Sequence, residues 1–150
     1  MKYFTKEWQK RISDDPDSGR ALVKEAAALY KAEQDKNPIP ADLEKRLEFH
    51  DAKIERTVMD GTDLHLYFDH PGMNPFEYNH IVFKKARIKV KEHELHNCYF
   101  IYYEIYRHYL GYEMHMLLWY HEKNAGHGYA DFTVICEDIQ TDKVMREKKK

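Results

Sequence analysis

The sequence of 150 residues contains only two cysteines, Cys98 and Cys136, which are too few for a disulfide scaffold. Both lie in apolar runs of strand-forming residues, where a free thiol usually acts as a small buried side chain. No run approaches the roughly 18 apolar residues that a membrane-spanning helix needs. No apolar stretch follows the opening Met1, so we expect no signal peptide and a reducing cytoplasm as the compartment.

The lack of excess positive charge and of known catalytic motifs argues against several functional classes. Lys and Arg number 24 against 26 Asp and Glu, and this near-balance argues against a dedicated binder of nucleic acid or anionic membranes. The later glycines, Gly111, Gly126 and Gly128, lack the spacing and the strand-to-helix context of a phosphate-binding loop. The serines, Ser13 and Ser18, do not lie in a nucleophile elbow.

The remaining composition is that of a folded domain. Hydrophobic residues make up 43% and aromatic residues 14%, so a chain of this length can bury a substantial core. There is no internal repeat and no evident boundary, so we expect residues 1–150 to form one domain. Within it, we expect a helical part over 1–48, an antiparallel sheet over 50–139 and a frayed basic tail over 144–150.

Helices are predicted in the first third of the chain. Apolar residues recur every four positions near the start, and Thr5 is the expected N-cap of this first helix. A second helix is expected to begin with Asp15 as its cap and Pro16 at its first position. Its expected buried residues are Leu22, Ala26, Leu29 and Tyr30. The two prolines in 37–40 end it, and a short amphipathic segment follows over 41–48.

After residue 51 the apolar period changes to the alternation of strands. Asp60-Gly61 is a strong hairpin signal, and the strand that follows alternates cleanly between apolar and polar residues. Further strands are predicted over 81–90, with a bulge near Lys84-Lys85, and over 99–109, 112–120 and 131–139. The segment 99–109 also fits a helical spacing, but its aromatic and β-branched residues favour a strand. The predicted class is α+β, with two to three N-terminal helices packed on a mainly antiparallel sheet of about six strands that forms a curved sheet, sandwich or partial barrel.

Ten histidines make a metal site worth considering, because imidazole is the commonest metal ligand. The adjacent His50-Asp51 resembles the pair of metal-dependent phosphohydrolases, but those enzymes need it on a helix, and here a strand follows. A looser site with an open position could still activate water for hydrolysis. Its candidate ligands are His50, Asp51, His65 and His115. The competing interpretation places these residues on the polar faces of strands and predicts no cofactor.

A second chemical possibility is a pair of acidic residues. Glu104 and Glu113 flank the turn at Gly111 and could face each other across a hairpin. If both were buried together, one would hold a proton near neutral pH and could serve as an acid. The more ordinary interpretation places them on the solvent-exposed face of the sheet. We therefore assign no catalytic residue.

Aromatic residues supply the candidates for binding. Six of the twelve tyrosines lie between Tyr99 and Tyr112, but Arg107 is the only basic residue other than histidine among them, which disfavours base stacking. Core packing is the first interpretation and a protein interface the second. The loop 70–78 is also rich in apolar residues for an exposed segment, as a docking patch would be. The candidate binding residues are Met73, Phe76, Tyr78, Tyr102 and Tyr106.

Several short segments together resemble a known family. They are MKYFTKEW at 1–8, FHDAKI at 49–54, YEIY at 103–106, GYEMH at 111–115 and DFTV at 131–134. These resemble an uncharacterised bacterial family, found mainly in Gram-positive species, that is a domain of unknown function. The resemblance implies a fold and a cytoplasmic location, and it supplies neither an activity nor catalytic residues.

Two functional hypotheses follow. The first is a non-catalytic binding or interaction module that takes a protein partner or a small ligand, without nucleic acid or membrane. The second is a metal-assisted hydrolase that uses the sheet-face histidines and a divalent metal. The absence of recognisable catalytic machinery favours the first hypothesis.

Overall fold

The computed structural model describes residues 1–123 and 126–145. Its helices are α1 (Lys6–Asp14), α2 (Pro16–Lys36) and α3 (Ala41–Arg46). Its strands are β1 (Ile54–Asp60), β2 (Asp63–Phe68), β3 (His80–Lys84), β4 (Arg87–Lys91), β5 (Tyr99–His108), β6 (Gly111–Glu122), β7 (Gly126–Cys136) and β8 (Asp138–Asp142). From residue 146 onward, the predicted basic tail lies outside the described residues.

The strands form two antiparallel sheets of four, in the orders β1-β2-β3-β8 and β4-β7-β6-β5. The α+β class with N-terminal helices is therefore confirmed, and neither sheet closes into a barrel. The described residues form eight strands where the sequence predicted about six, because two of the predicted strands are each divided. The break in 81–90 falls at Lys85, which has a left-handed φ of 49°, and the break in 131–139 falls at Glu137.

Each break carries the chain from one sheet into the other, since β3 and β8 pair in the first sheet while β4 and β7 pair in the second. The corners are fixed by backbone hydrogen bonds. Ala86 N donates to Thr62 O at 2.7 Å, and Glu137 N donates to Lys84 O at 2.8 Å. The two sheets therefore share one core although they are not hydrogen-bonded into a single layer.

The main core lies between the inner faces of the two sheets. In β2 the apolar residues Leu64, Leu66 and Phe68 are buried while the residues between them are partly exposed, as their alternation predicts. The second sheet contributes large side chains that include Phe100, Ile105, Met114, Met116, Phe132 and Val134. Burial of so many aromatic and aliphatic side chains is the dominant stabilising contribution to this fold.

Strand β5 presents different residues to the core and to the helices. Phe100 and Ile105 point into the core. The pairing of β5 with β6 shifts between Phe100 and Tyr102, so Ile101 is the extra residue of a β-bulge. Beyond the bulge, Tyr102 and Glu104 face away from the core, toward the N-terminal helices.

The first two helices begin where the sequence predicts. Thr5 Oγ1 accepts a hydrogen bond from Trp8 N at 3.1 Å, which caps α1, and Pro16 takes the first position of α2. Leu29 was predicted to be buried, but it is half exposed. Ala26 and Tyr30 face the sheet, and Leu29 points about 100° round the helix from Tyr30. No helix within the described part of the chain combines the length and apolar character needed to cross a membrane.

Candidate functional site

An apolar cleft of about 500 Å³ lies where helix α2, strand β5 and the loop 70–78 meet. Its lining residues are Phe4, Val23, Ala27, Tyr30, Glu48, His50, Met73, Ile101, Tyr102 and Tyr103. They come from five separate segments of the chain, so the cleft exists only in the folded protein.

The strand wall is built around Tyr102, which the bulge at Ile101 directs toward the helices. The Tyr102 ring stacks on Phe4, with centroids 5.1 Å apart, and meets the edge of Trp8 at 5.0 Å. Aromatic packing of this kind holds rings in fixed orientations. The Tyr102 side chain is thus a rigid part of the wall.

The helix wall consists of Val23, Ala27 and Tyr30, which recur at the spacing of one helix face. Tyr30 joins this helix to β5, because its hydroxyl accepts a hydrogen bond from Ile105 N at 2.8 Å. Gln34, one turn further along, donates from its side chain to the Ile105 carbonyl. Burial strongly raises the pKa of Tyr30, so its hydroxyl keeps its proton.

The floor at the N-terminal side is fixed by Glu104, whose side chain is fully buried. Its carboxylate accepts hydrogen bonds from three consecutive backbone N–H groups, those of Lys2 at 3.0 Å, Tyr3 at 2.9 Å and Phe4 at 2.9 Å. Tyr106 also donates its hydroxyl to this carboxylate at 2.5 Å. Glu104 therefore holds the N-terminal segment on the sheet and places the Phe4 ring against Tyr102.

A tight turn at residues 49–52 supplies the polar end of the cleft. Asp51 adopts a left-handed φ of 68°, and its N–H donates to the Phe100 carbonyl at 2.8 Å. The His50 ring lies 5.2 Å from the Tyr102 ring, measured between centroids. His50 Nδ1 is 2.5 Å from the Ile101 carbonyl oxygen, and since a carbonyl only accepts, Nδ1 carries the hydrogen.

The loop 70–78 closes the remaining side and packs tightly on this turn. Gly72 has a φ of +58°, and a Cβ at this position would lie 2.4 Å from the His50 carbonyl oxygen. Met73 N donates to the same carbonyl at 3.0 Å. Asn74 is buried and accepts hydrogen bonds from the backbone N–H groups of Phe76 and Tyr78. The loop is therefore ordered by its own hydrogen bonds and positions Met73 at the rim.

The electrostatic environment at the polar end is negative. Burial raises the pKa of Tyr102, and the carboxylates of Asp51 and Glu48 raise it further. The pKa of Tyr103 is raised well above its usual value, mainly by burial and also by Tyr30 and Glu48. Both shifts show that these phenols stay neutral near physiological pH.

Of the five candidate binding residues, the structure brings Met73 and Tyr102 together in the cleft. Phe76 and Tyr78 stack on each other, with centroids 5.2 Å apart, and neither is among the residues that line it. Tyr106 lies in a different cavity of about 430 Å³, whose lining residues also include Lys2 and His115. The candidate residues therefore divide among three places.

The candidate metal ligands also lie apart. His50 and Asp51 are neighbours at the cleft, with Nε2 and Oδ1 3.6 Å apart. His65, on the first sheet, has its Nδ1 2.9 Å from Nε2 of His80. His115, on the second sheet, has its Nε2 2.8 Å from a carboxylate oxygen of Glu113. Within residues 1–123 and 126–145, no group of three or more His, Cys, Asp or Glu side chains is placed to hold a metal ion.

The acidic residues near the β5–β6 turn have separate partners. Glu104 holds the N-terminal backbone. Glu113 forms ion pairs with Lys89 at 3.1 Å and with His115 at 2.8 Å. The pKa of Glu113 is lowered because its hydrogen bonds to these two partners outweigh the effect of burial. Glu104 and Glu113 are therefore engaged with different partners, and they do not form the proton-sharing pair that was considered from the sequence.

Several cleft residues were not singled out from the sequence. Val23, Ala27 and Ile101 carry no polar group, and Ala27 lies on an exposed part of α2. Tyr103 resembles its neighbouring tyrosines in the sequence. The usable signals were the aromatic cluster at 99–112 and the apolar loop at 70–78, which pointed to Tyr102 and Met73.

The fold and cleft define an α+β protein with two four-stranded sheets, and the family comparison agrees with the resemblance seen in the sequence. The chain belongs to the family described as protein of unknown function (DUF4085), whose model matches residues 5–122. Every residue that lines the cleft, apart from Phe4, falls within that range. No curated protein and no solved structure matches the chain.

Proposed function

We propose that this protein is a non-catalytic binding module that takes a small, largely apolar ligand in the cleft between α2 and β5. The observation that carries the proposal is the cleft itself, a concave volume of about 500 Å³ with mainly aliphatic and aromatic walls. Small-molecule sites typically measure about 300–1,000 Å³ and combine such walls with a few polar groups.

The hydrogen bonds of the polar side chains favour binding over catalysis. The His50 Nδ1 hydrogen is used by the Ile101 carbonyl. The Tyr103 hydroxyl donates to the Glu44 carbonyl at 3.1 Å, and the Tyr30 hydroxyl is engaged with the backbone of Ile105. These groups fix the walls, whereas a general acid or base must reach the proton that it transfers.

The shape of the site favours a small ligand over a protein partner. Protein interfaces are usually broad, and their energetic centre is a set of aromatic residues that project from the surface. Here Phe4, Tyr30 and Tyr102 pack against each other and line a concavity. Met73, which is 64% exposed at the rim, is the apolar side chain placed to cover a bound ligand.

We place this activity in the cytoplasm. Cys98 and Cys136 are both free thiols in the structure. Disulfides form and persist mainly in oxidising compartments, so two unpaired cysteines are compatible with a reducing one.

The test is to fill the cleft from the helix side. We expect Ala27→Trp to occupy the volume with an indole and to weaken binding of phenylbutanol, a neutral apolar probe, by at least about tenfold. Ala28→Trp is the matched control, because Ala28 is an exposed neighbour on the same helix that is not among the cleft-lining residues. Binding is measured by titration calorimetry, and circular dichroism verifies that both variants fold.

The wild-type protein is expected to bind phenylbutanol with a dissociation constant of about 1 mM or tighter, as suits a ligand of this size. Absence of binding by the wild type would overturn the proposal. Equal loss in both tryptophan variants would also overturn it, since the lost binding would then not depend on the cleft.

A further inference from the structure

The residues that line the cleft provide negative charge and lack a fixed positive one. Among the described lining residues Glu48 is the only carboxylate, and none is Lys or Arg. Glu48 is exposed to solvent, and its carboxylate favours a ligand of positive charge over one of negative charge, with an effect that salt screens. An apolar ligand that carries a carboxylate would therefore meet Glu48 without a permanent cation to balance it.

Two carboxylates lie close to His50 at this end of the cleft, one at its backbone and one at its ring. Glu48 Oε1 accepts a hydrogen bond from the backbone N of His50 at 3.3 Å, and Glu48 is one of the residues that line the cleft. Asp51 Oδ1 lies 3.6 Å from His50 Nε2. Carboxylate groups only accept hydrogen bonds when ionised, so the group that they recognise must be a donor.

The Tyr102 phenol lies within the field of the same two carboxylates. Burial raises its pKa, and the negative charges of Asp51 and Glu48 raise it further. The ring is half-buried, and the buried Phe4 ring stacks on one of its faces. Aromatic faces attract cations through the negative charge of their π-electrons.

We infer that the natural occupant of the cleft is an apolar amine, whose protonated nitrogen lies near Glu48 and Asp51 while its aromatic or aliphatic body lies against Tyr102, Tyr30 and Val23. This inference rests on the proposed function, because it names the ligand class of the same site. The ammonium donates hydrogen bonds to the acceptors at the polar end, and the body replaces water along the apolar walls.

The test compares three probes of one carbon skeleton, namely phenylbutylamine, phenylbutanol and phenylbutanoate. Titration calorimetry at low salt is expected to rank the amine about tenfold tighter than the alcohol, with the carboxylate weakest. The advantage of the amine is expected to shrink as salt is added, because exposed charges are screened.

A substitution of Glu48 tests whether its carboxylate is the charge that binds the amine. Glu48→Gln is expected to weaken the amine about fivefold to tenfold and to leave the alcohol unchanged. Glu25→Gln is the matched control, since Glu25 lies on α2 beside a different groove, and it is expected to leave both probes unchanged.

The outcomes separate the two proposals. If the amine and the alcohol bind equally, or if the carboxylate binds most tightly, the amine inference is overturned and the binding function stands. If none of the three probes binds, both proposals fail. Equal loss of amine binding in the Glu25→Gln control would overturn the assignment of the charge to Glu48.

Discussion

Gly72 is a single residue on which the cleft depends. Its left-handed φ of +58° is available to glycine at little cost, and its missing side chain lets the loop 70–78 touch the turn that carries His50. Gly61, at the β1–β2 hairpin, has a similar φ of +62°, but an added Cβ there would meet nothing within 4 Å. Substitutions at the two glycines therefore distinguish the energetic cost of backbone strain from that of steric clash.

Gly72→Ala is expected to destabilise the protein by about 3 kcal/mol or more, because the new methyl must displace backbone atoms in addition to straining φ. Gly61→Ala is expected to cost about 1 kcal/mol, from the strain alone. Urea unfolding measures both free energies. Equal losses in the two variants would contradict the close packing of the loop on the His50 turn.

The thiols of Cys98 and Cys136 are buried, and their chemical reactivity tests the position of these two residues in the core. Burial raises the pKa of Cys98 to about 11 and that of Cys136 to about 12. Since the thiolate is the reactive form, we expect neither cysteine to react with a disulfide reagent at about pH 8 while the protein is folded. Both are expected to react once urea unfolds the chain, and rapid labelling of the native protein would contradict their placement in the core.

At the scale of elements, strand β5 connects the core, the helices and the N-terminal segment. Its alternation and its aromatic content predicted a strand, and the structure confirms one over Tyr99–His108. The bulge at Ile101 was not predictable from local sequence, because a bulge depends on how the neighbouring strand pairs. Without that extra residue, Tyr102 would lie on the same, core-facing side of the strand as Phe100.

Glu104→Gln is expected to destabilise the protein by about 3 kcal/mol, because an amide cannot satisfy three backbone donors as a carboxylate does. Tyr106→Phe is the milder comparison, since it removes one hydrogen bond to the same carboxylate, and we expect a loss of about 1.5 kcal/mol. Chemical denaturation measures both. A Glu104→Gln variant as stable as the wild type would show that the N-terminal segment is not held in this way.

His115, on β6, makes stability depend on pH. Burial lowers its pKa in the folded protein, although Glu113 acts in the opposite direction. The unfolded chain takes up this proton near pH 6.5, so the stability is present above that value and is lost as the pH falls toward the folded pKa. His115→Gln is expected to lose less stability than the wild type between about pH 7.5 and pH 5. Identical pH profiles in thermal unfolding would contradict this role.

At the scale of the whole molecule, the division into two sheets is the feature least visible in the sequence. The cap at Thr5, the start of α2 at Pro16 and the hairpin at Asp60-Gly61 depend on neighbours in the chain, and these predictions are confirmed. Asp15 precedes α2 as predicted, but its side chain makes no capping hydrogen bond. The sheet-crossing corners at Lys85 and Glu137 depend on pairing with distant strands. The sequence therefore indicated only a bulge near Lys84-Lys85 and the middle of one strand at Glu137.

The candidate site was predictable only in part, for the same reason. Tyr102 and Met73 stood out as an aromatic cluster and an exposed apolar loop, but nothing local showed that they lie beside each other. His50 was considered as a metal ligand, whereas in the structure its ring packs on Tyr102 and its Nδ1 hydrogen serves the Ile101 carbonyl. Val23 and Ala27 gain their place in the cleft solely from how α2 crosses β5.

The most direct test of the ligand-binding cleft is NMR of the methionine methyl groups during titration with phenylbutanol. The chain has six methionines, and Met73 lines the cleft while Met59 is exposed on β1. We predict a saturable shift of the Met73 signal, with Met59 unchanged, and loss of that shift in Ala27→Trp but not in Ala28→Trp. A titration that leaves Met73 unmoved, or that shifts Met59 instead, would contradict the account.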